Sequence, residues 1–360
     1  VTTNIKQAEH PALQALANAE AVYVVGVNAL WKKSWQQFFG HLNPRYVNRP
    51  QQVPAGAHAL IWGRRTPVSE FRNNVTLYRV EDGFIRSVGL GAEFARPCSW
   101  VIDRQGLYFD ATGPSDLEQL LQQAEFDNGT LNRASQLIDA LTRNGISKYN
   151  TGNSGWQAPH TDKPLLLVPG QVEDDASIEY GSPTIKTNLG LLRQVRAQNP
   201  QAFVIYKPHP DVVAGARAEG SNEHSASEYC DAIVTHANII DVLNAVDEVH
   251  TLTSLTGFEA LIRGKTVHCY GQPFYSGWGL TQDHSLNTRR TSQRTLNELV
   301  AATLIEYPLY VIPSSQQDAL TTPENVLEWL QQQRQHTSFT DKLKQKSKRQ
   351  LRQLINRLRR

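Results

Sequence analysis

The chain has 360 residues, 40% of them hydrophobic and 19% charged, with a formal net charge of +2. That length suits two domains, each able to bury a core, and that balance excludes a disordered chain. No apolar run approaches the ~18 residues of a spanning helix, and Val1 to Ala21 lacks the layout of a signal peptide.

Strand-like apolar runs alternate with helical patterns from the start, the mark of βαβ units around parallel sheets. In the first half, strands are expected over 21–26, 57–63 and 76–80, with helices over 29–39, 116–124 and 131–143. A polar stretch without periodicity, Asn150–Asp162, contains Gly152, Gly155 and Pro159 and reads as an interdomain linker. The second half repeats the alternation. Strands are expected over 164–169, 202–207, 232–235, 248–253 and 266–270, and helices over 184–198, 239–245 and 255–263. The expected architecture is an α/β protein of two Rossmann-like domains facing a cleft. Residues 1–152 form the first domain and 153–322 the second; 323–360 form C-terminal helices that pack back on the body.

The last twenty residues differ from the rest. They hold nine basic side chains (Lys342, Lys344, Lys346, Lys348, Arg349, Arg352, Arg357, Arg359 and Arg360) and one acid, so the body before them is net acidic. Leu351, Leu354, Ile355 and Leu358 share a helical face opposite the basic one, the pattern of an interfacial amphipathic helix drawn to anionic lipid. The acidic body and the absence of interleaved aromatic and basic residues argue against nucleic acid. Three dispersed cysteines (Cys98, Cys230 and Cys269) form no disulfide or zinc pattern, which places the chain in a reducing cytoplasm. The lack of any methionine points to an excised or processed segment.

Four motifs carry the chemistry, and all fall at strand ends. Arg79-Val80-Glu81-Asp82-Gly83-Phe84-Ile85-Arg86-Ser87 closes a strand of the first half. Its acidic pair suits acid/base work on a hydroxyl, with an Asp-Gly turn and a salt bridge as the competing reading. Gly170-Gln171-Val172-Glu173-Asp174-Asp175 leaves the first strand of the second half with three consecutive acids, whose repulsion is costly unless the loop is solvated or used. Lys207-Pro208-His209-Pro210-Asp211 ends a strand stiffly, with two groups that donate to phosphate. Thr253-Ser254-Leu255-Thr256-Gly257-Phe258-Glu259 opens a helix with hydroxyls and backbone N–H groups, an anion site. There Glu259 either accepts from a ribose or closes a capping box with Thr256. Neither a dinucleotide-binding G-x-G-x-x-G nor a P-loop occurs. Phosphate donors in one domain and carboxylates from both suit transfer of a sugar from a nucleotide.

Taken together, these motifs resemble the bacterial capsule β-Kdo transferases of the KpsC family. The likeness extends through Ser147-Lys148-Tyr149-Asn150, Tyr270-Gly271, Pro273-Phe274-Tyr275 and Gly277-Trp278-Gly279-Leu280-Thr281, covering roughly 57–313. It resembles the C-terminal module of a family whose members commonly carry two. The resemblance implies a GT-B fold and a retaining transfer of Kdo from CMP-β-Kdo to a Kdo-bearing lysophosphatidylglycerol acceptor at the cytoplasmic face of the inner membrane, beside other capsule-assembly proteins. It implies no cofactor and no metal. Asp175 is the implied nucleophile, with Asp174 its competitor, and Glu81 or Asp82 the acid/base. Lys207, His209, Ser254 and Thr256 would hold the CMP phosphate, aided by Gln171, Pro210 and Gly257, and Glu259 the ribose. Arg86 and Trp278 would meet the acceptor. An inverting, sialyltransferase-like enzyme and a non-catalytic sugar-nucleotide- or polysaccharide-binding module are the alternatives. The linkage formed, 2→4 or 2→7, and the oligomeric state are not legible.

Overall fold

The structure is a computed structural model that describes residues 10–64, 66–87, 95–148, 150, 155–313 and 320–335. Two six-stranded sheets organise it. The first half contributes β1 (Val22–Val25), β2 (Arg45–Val47), β3 (His58–Trp62), β4 (Thr76–Asp82) and β5 (Ser99–Asp103). The second half contributes β6 (Leu165–Pro169), β7 (Phe203–Lys207), β8 (Ala232–Ile233), β9 (Glu248–Thr251), β10 (Thr266–Cys269) and β11 (Gln282–Asp283). A last strand, β12 (Pro308–Tyr310), returns to the first sheet.

The second sheet is parallel throughout, in the order β11-β10-β9-β6-β7-β8. Chain order therefore reverses between β6 and β9, which opens a crevice beyond their carboxyl ends. Buried runs such as Leu166-Leu167-Val168 form these strands because helices cover both faces. The first sheet runs β12-β5-β4-β3-β1-β2, with β1 to β4 parallel and its own reversal between β1 and β3. β5 and β12 are antiparallel. The edge strand β2 and the antiparallel pair β5 and β12 have no counterpart among the strands expected from sequence. β12 is three residues long, and β5 lacks the helix-flanked setting that betrays a parallel strand.

β12 also changes the expected partition. It lies within 153–322, yet Leu309 pairs with Trp100 of β5. One core spans both halves: Phe84, Leu117 and Leu137 pack with Val249, Phe258 and Phe274. The helix Pro323–Gln335 adds Val326, Leu327 and Leu330 to that core. Glu324 near its start takes two hydrogen bonds from Arg133, at 2.9 and 3.1 Å. Buried Glu118 of the helix Asp116–Gln123 receives Arg289 at 2.6 Å and Arg290 at 2.9 Å, a second tie between the halves. Among the described residues no helix is long and apolar enough to cross a membrane. The basic amphipathic tail lies outside the described residues.

Candidate active site

A cleft of about 1400 Å³ lies between the carboxyl edges of the two sheets, lined by residues of both. That is larger than the ~300–1,000 Å³ usual for a small-ligand pocket. Each of the four motifs enters it.

The second-domain wall is built from strand ends and helix starts. At the β6/β9 reversal the Gln171 side chain bridges the switch point. Its Nε2 donates to Thr253 Oγ1 at 3.0 Å, and its Oε1 accepts from Thr253 N at 2.9 Å. Gln171 thereby fixes the donor crevice, with only half its hydrogen-bonding capacity left for a ligand. Ser254 caps the helix Leu255–Ile262, accepting from Thr256 N at 3.2 Å. Thr256 is thus the second residue of the helix and forms no capping box. Glu259 is buried, its carboxylate accepting from Lys148 N at 2.8 Å, and burial raises its pKa. It holds the end of the first half against the second while still lining the cleft.

Lys207 ends β7, and desolvation lowers its pKa to about 8. An arriving phosphate would restore its full charge. His209 caps the turn Pro210–Val213: its Nδ1 accepts from Asp211 N at 3.1 Å. That acceptor role puts the proton of the neutral ring on Nε2, leaving a donor for the cleft. Burial lowers the His209 pKa, so the neutral form prevails at pH 7.

The three consecutive acids separate in space. Glu173 turns into the fold and accepts from Asn188 N at 2.6 Å and Ser221 N at 2.7 Å. Asp174 and Asp175 line the cleft and share Arg217, at 3.6 and 3.8 Å. Asp175 also caps the helix Ala176–Gly181, with Oδ1 accepting from Ser177 N at 2.9 Å. Its Oδ2 faces Arg217. Repulsion is relieved by turning Glu173 inward and by Arg217 between Asp174 and Asp175, which the run of letters alone does not reveal.

Across the cleft, Glu81 and Asp82 end β4. Burial, reinforced by neighbouring Asp82, pushes the Glu81 carboxyl up to about 8, and Asp175 adds to the shift from the opposite wall. Glu81 is therefore largely protonated at neutral pH, with an ionised fraction that grows toward pH 8. Asp82 Oδ2 accepts from Arg86 Nε at 2.6 Å, and its Oδ1 is buried with no partner among the described residues.

Burial bears on some of the expected ligand contacts. Arg86 lines the cleft but is 3% exposed and directs donors to Asp82, Ser87 and Ala95, so it also positions Asp82. Trp278 is fully buried away from the cleft, its Nε1 donating to Phe274 O at 2.8 Å. Gly257 is buried too, and a Cβ there would lie 2.7 Å from Tyr275 Cζ. Its smallness serves packing against Tyr275. Sequence reasoning passed over Arg217 and the pair Trp31 and Trp62 and gave Lys148 no role, and all four line the cleft. Arg217 sits in no motif. The tryptophans lie far upstream of the carboxylates, and only the parallel sheet brings them onto the same edge.

Two Rossmann-like sheets with their carboxyl edges across a cleft, phosphate donors on one wall and carboxylates on both, define a GT-B fold. A family model for capsule polysaccharide biosynthesis proteins matches residues 59–312, and the chain belongs to that family. It is 47% identical over 307 residues to the capsule polysaccharide modification protein LipA of Neisseria meningitidis serogroup B, covering 82% of this chain and 44% of LipA. The lipopolysaccharide-processing protein LpsZ of Rhizobium meliloti is 45% identical over 68% of this chain and 56% of its own. The chain thus spans about half the length of the curated relatives it matches. Among solved structures, it is similar to the β-Kdo 2,7 transferase of Thermosulfurimonas dismutans KpsC, with a TM-score of 0.74 and 39% identity, covering 88% of this chain and all of that one. The β-Kdo 2,4 transferase of the same protein gives a TM-score of 0.77 and 31% identity, covering 87% and 98%.

Proposed function

We propose that this chain is a retaining β-Kdo transferase that takes Kdo from CMP-β-Kdo during capsule polysaccharide synthesis. The observation that carries the reading is the opposition of Asp175 and Glu81 across a cleft whose donor wall presents Lys207 and His209. The likeness to two Kdo transferases over nearly their whole chains supports the sugar.

Retention follows from two displacements. Asp175 Oδ2 attacks the anomeric carbon; the bond to the CMP phosphate breaks and its electrons leave with CMP, which Lys207 and His209 Nε2–H receive. An acceptor hydroxyl then gives its proton to ionised Glu81 and attacks the same carbon, releasing Asp175. Asp82, held by Arg86 at the end of the same strand, keeps negative charge beside Glu81. Ser254 and the first N–H groups of its helix cradle the phosphate, and Glu259 faces the ribose. Trp31 and Trp62 line the acceptor side of the cleft and meet acceptor sugars there. The acceptor is a Kdo-bearing lysophosphatidylglycerol, and the basic tail docks the enzyme on the anionic inner leaflet beside it.

The experiment is intact-protein mass spectrometry with donor alone, followed by peptide mapping. One added Kdo on Asp175 is expected. Asp175→Asn keeps the helix cap, so it should retain CMP binding while turnover falls by orders of magnitude. An adduct on Asp174 would move the nucleophile by one residue. A fully active Asp175→Asn protein without adduct would reject the two-step route.

A further inference from the structure

The first sheet carries a rim beside the cleft that the transfer chemistry does not use. Among the described residues four large apolar side chains stand in solvent, and two of them, Leu30 at 67% and Val68 at 61% exposure, lie on neighbouring connections. Leu30 belongs to the 3₁₀ turn Ala29–Trp31 after β1, and Val68 to the 3₁₀ turn Val68–Glu70 after β3. β1 and β3 are parallel partners, so both connections leave the same carboxyl edge. Single exposed apolar residues are ordinary on a protein surface. These two are set apart by the charge around them.

Between Val27 and Asn74 the sequence holds seven basic residues and one acid, in a body that is otherwise acidic. Lys32 and Lys33 follow Leu30 closely and are exposed. Arg49 is exposed just past β2, the other parallel partner of β1, and Arg72 is exposed four residues after Val68. Apolar side chains among unopposed cations suit an anionic bilayer, where the apolar groups enter the acyl boundary and the cations meet lipid phosphates. A nucleic acid would use the cations but gain nothing from Leu30 and Val68. The rim also borders the site. Asn28, Trp31, Arg64 and Thr66 of the same two connections line the cleft, and a Cβ on Gly63 would lie 3.4 Å from Glu81 Oε2. Five residues of chain therefore lead from the side of Glu81 to exposed Val68.

We infer that this rim, with Leu30 and Val68 at its centre and Lys32, Lys33 and Arg49 around them, seats on an anionic bilayer and turns the acceptor side of the cleft toward it. The inference rests on the reading of the chain as a transferase with a lipid-borne acceptor. The terminal basic segment supplies most of the affinity, and two apolar side chains with a few cations are too small to hold the protein unaided. What the rim adds is orientation. A sugar carried on a lipid reaches Glu81 while its acyl chains stay in the bilayer.

The test uses the full chain carrying Cys230→Ser, because Cys98 and Cys269 are buried and leave an introduced thiol as the reactive one. Leu30→Cys is labelled with an environment-sensitive nitrobenzoxadiazole probe and mixed with vesicles of phosphatidylglycerol and phosphatidylethanolamine. A blue shift and quenching by spin-labelled acyl chains are expected, with little change on phosphatidylcholine alone. Protein that co-sediments with the anionic vesicles while the probe keeps its aqueous spectrum would overturn the rim as a seat. Unlabelled protein with Leu30→Glu and Val68→Glu, checked for folding by circular dichroism, should lose about 10-fold or more of its turnover on a vesicle-embedded acceptor. Its turnover on a soluble acceptor should stay within about twofold of wild type, since neither side chain belongs to the site. Wild-type turnover of that variant on the embedded acceptor would also overturn the inference. Wild-type protein that transfers to neither acceptor would reject the transferase reading alone, because the probe reports the seat without catalysis.

Discussion

His209 is held by its own turn. Accepting from Asp211 N fixes the ring and leaves Nε2–H as the donor toward a phosphate. A hydrogen bond to a charged group is worth about 1.5–3 kcal/mol, so His209→Ala should weaken CMP binding by roughly 10- to 150-fold. Calorimetry with EDTA present measures it, and unchanged affinity would remove His209 from the donor site. Glu81 makes a pH prediction with a definite sign. Its folded pKa is raised from 4.5 to about 8, mainly by burial. The stability this contributes is complete below the unfolded value and is lost as pH rises through about 8. Glu81→Gln stays neutral, so its stability relative to wild type should climb between pH 5 and 8, by at most ~1.4 kcal/mol per unit. Melting curves at the two pH values check this. The same group acting as a base requires turnover to rise as pH approaches about 8, a limb the variant should lack.

At the scale of elements, the helix Leu255–Ile262 shows how packing and binding share one segment. Ser254 starts the helix, and its carbonyl accepts from Tyr275 Oη at 2.5 Å. Tyr275 is fully buried and cannot retreat from a side chain at position 257. Gly257→Ala should therefore overpack this contact and destabilise the protein by about 1–3 kcal/mol, read as a lower midpoint in urea. A neutral result would mean that the helix can shift without cost. The motif was legible as a helix start because hydroxyl residues precede an apolar run. Which hydroxyl is the cap was not: Thr256 with Glu259 has the spacing of a capping box, but Glu259 is drawn away by Lys148 N from another part of the chain. The strand ends Pro169 and Lys207 were legible for a simpler reason, since parallel strands buried on both faces are written as short unbroken apolar runs.

For the whole molecule, the basic segment at the end makes the remaining prediction. Each lysine or arginine near an anionic surface contributes up to about 1 kcal/mol. Deleting 342–360 should abolish co-sedimentation with anionic liposomes and spare turnover on a soluble acceptor; equal sedimentation would reject the docking role. By itself the sequence determined the two-sheet α/β plan and the position of Glu81, Lys207 and His209 at strand ends, because periodicity, proline and turn chemistry are local signals. Tertiary structure alone decided that β12 crosses back to the first sheet, that Trp278 and Gly257 are packing residues, and that Glu173 faces inward while Asp175 meets Arg217. It also decided that burial and Asp82 raise the Glu81 pKa. Those outcomes depend on what lies beside each residue after folding. Burial and charge act through space, and the partners concerned stand tens to hundreds of positions apart along the chain.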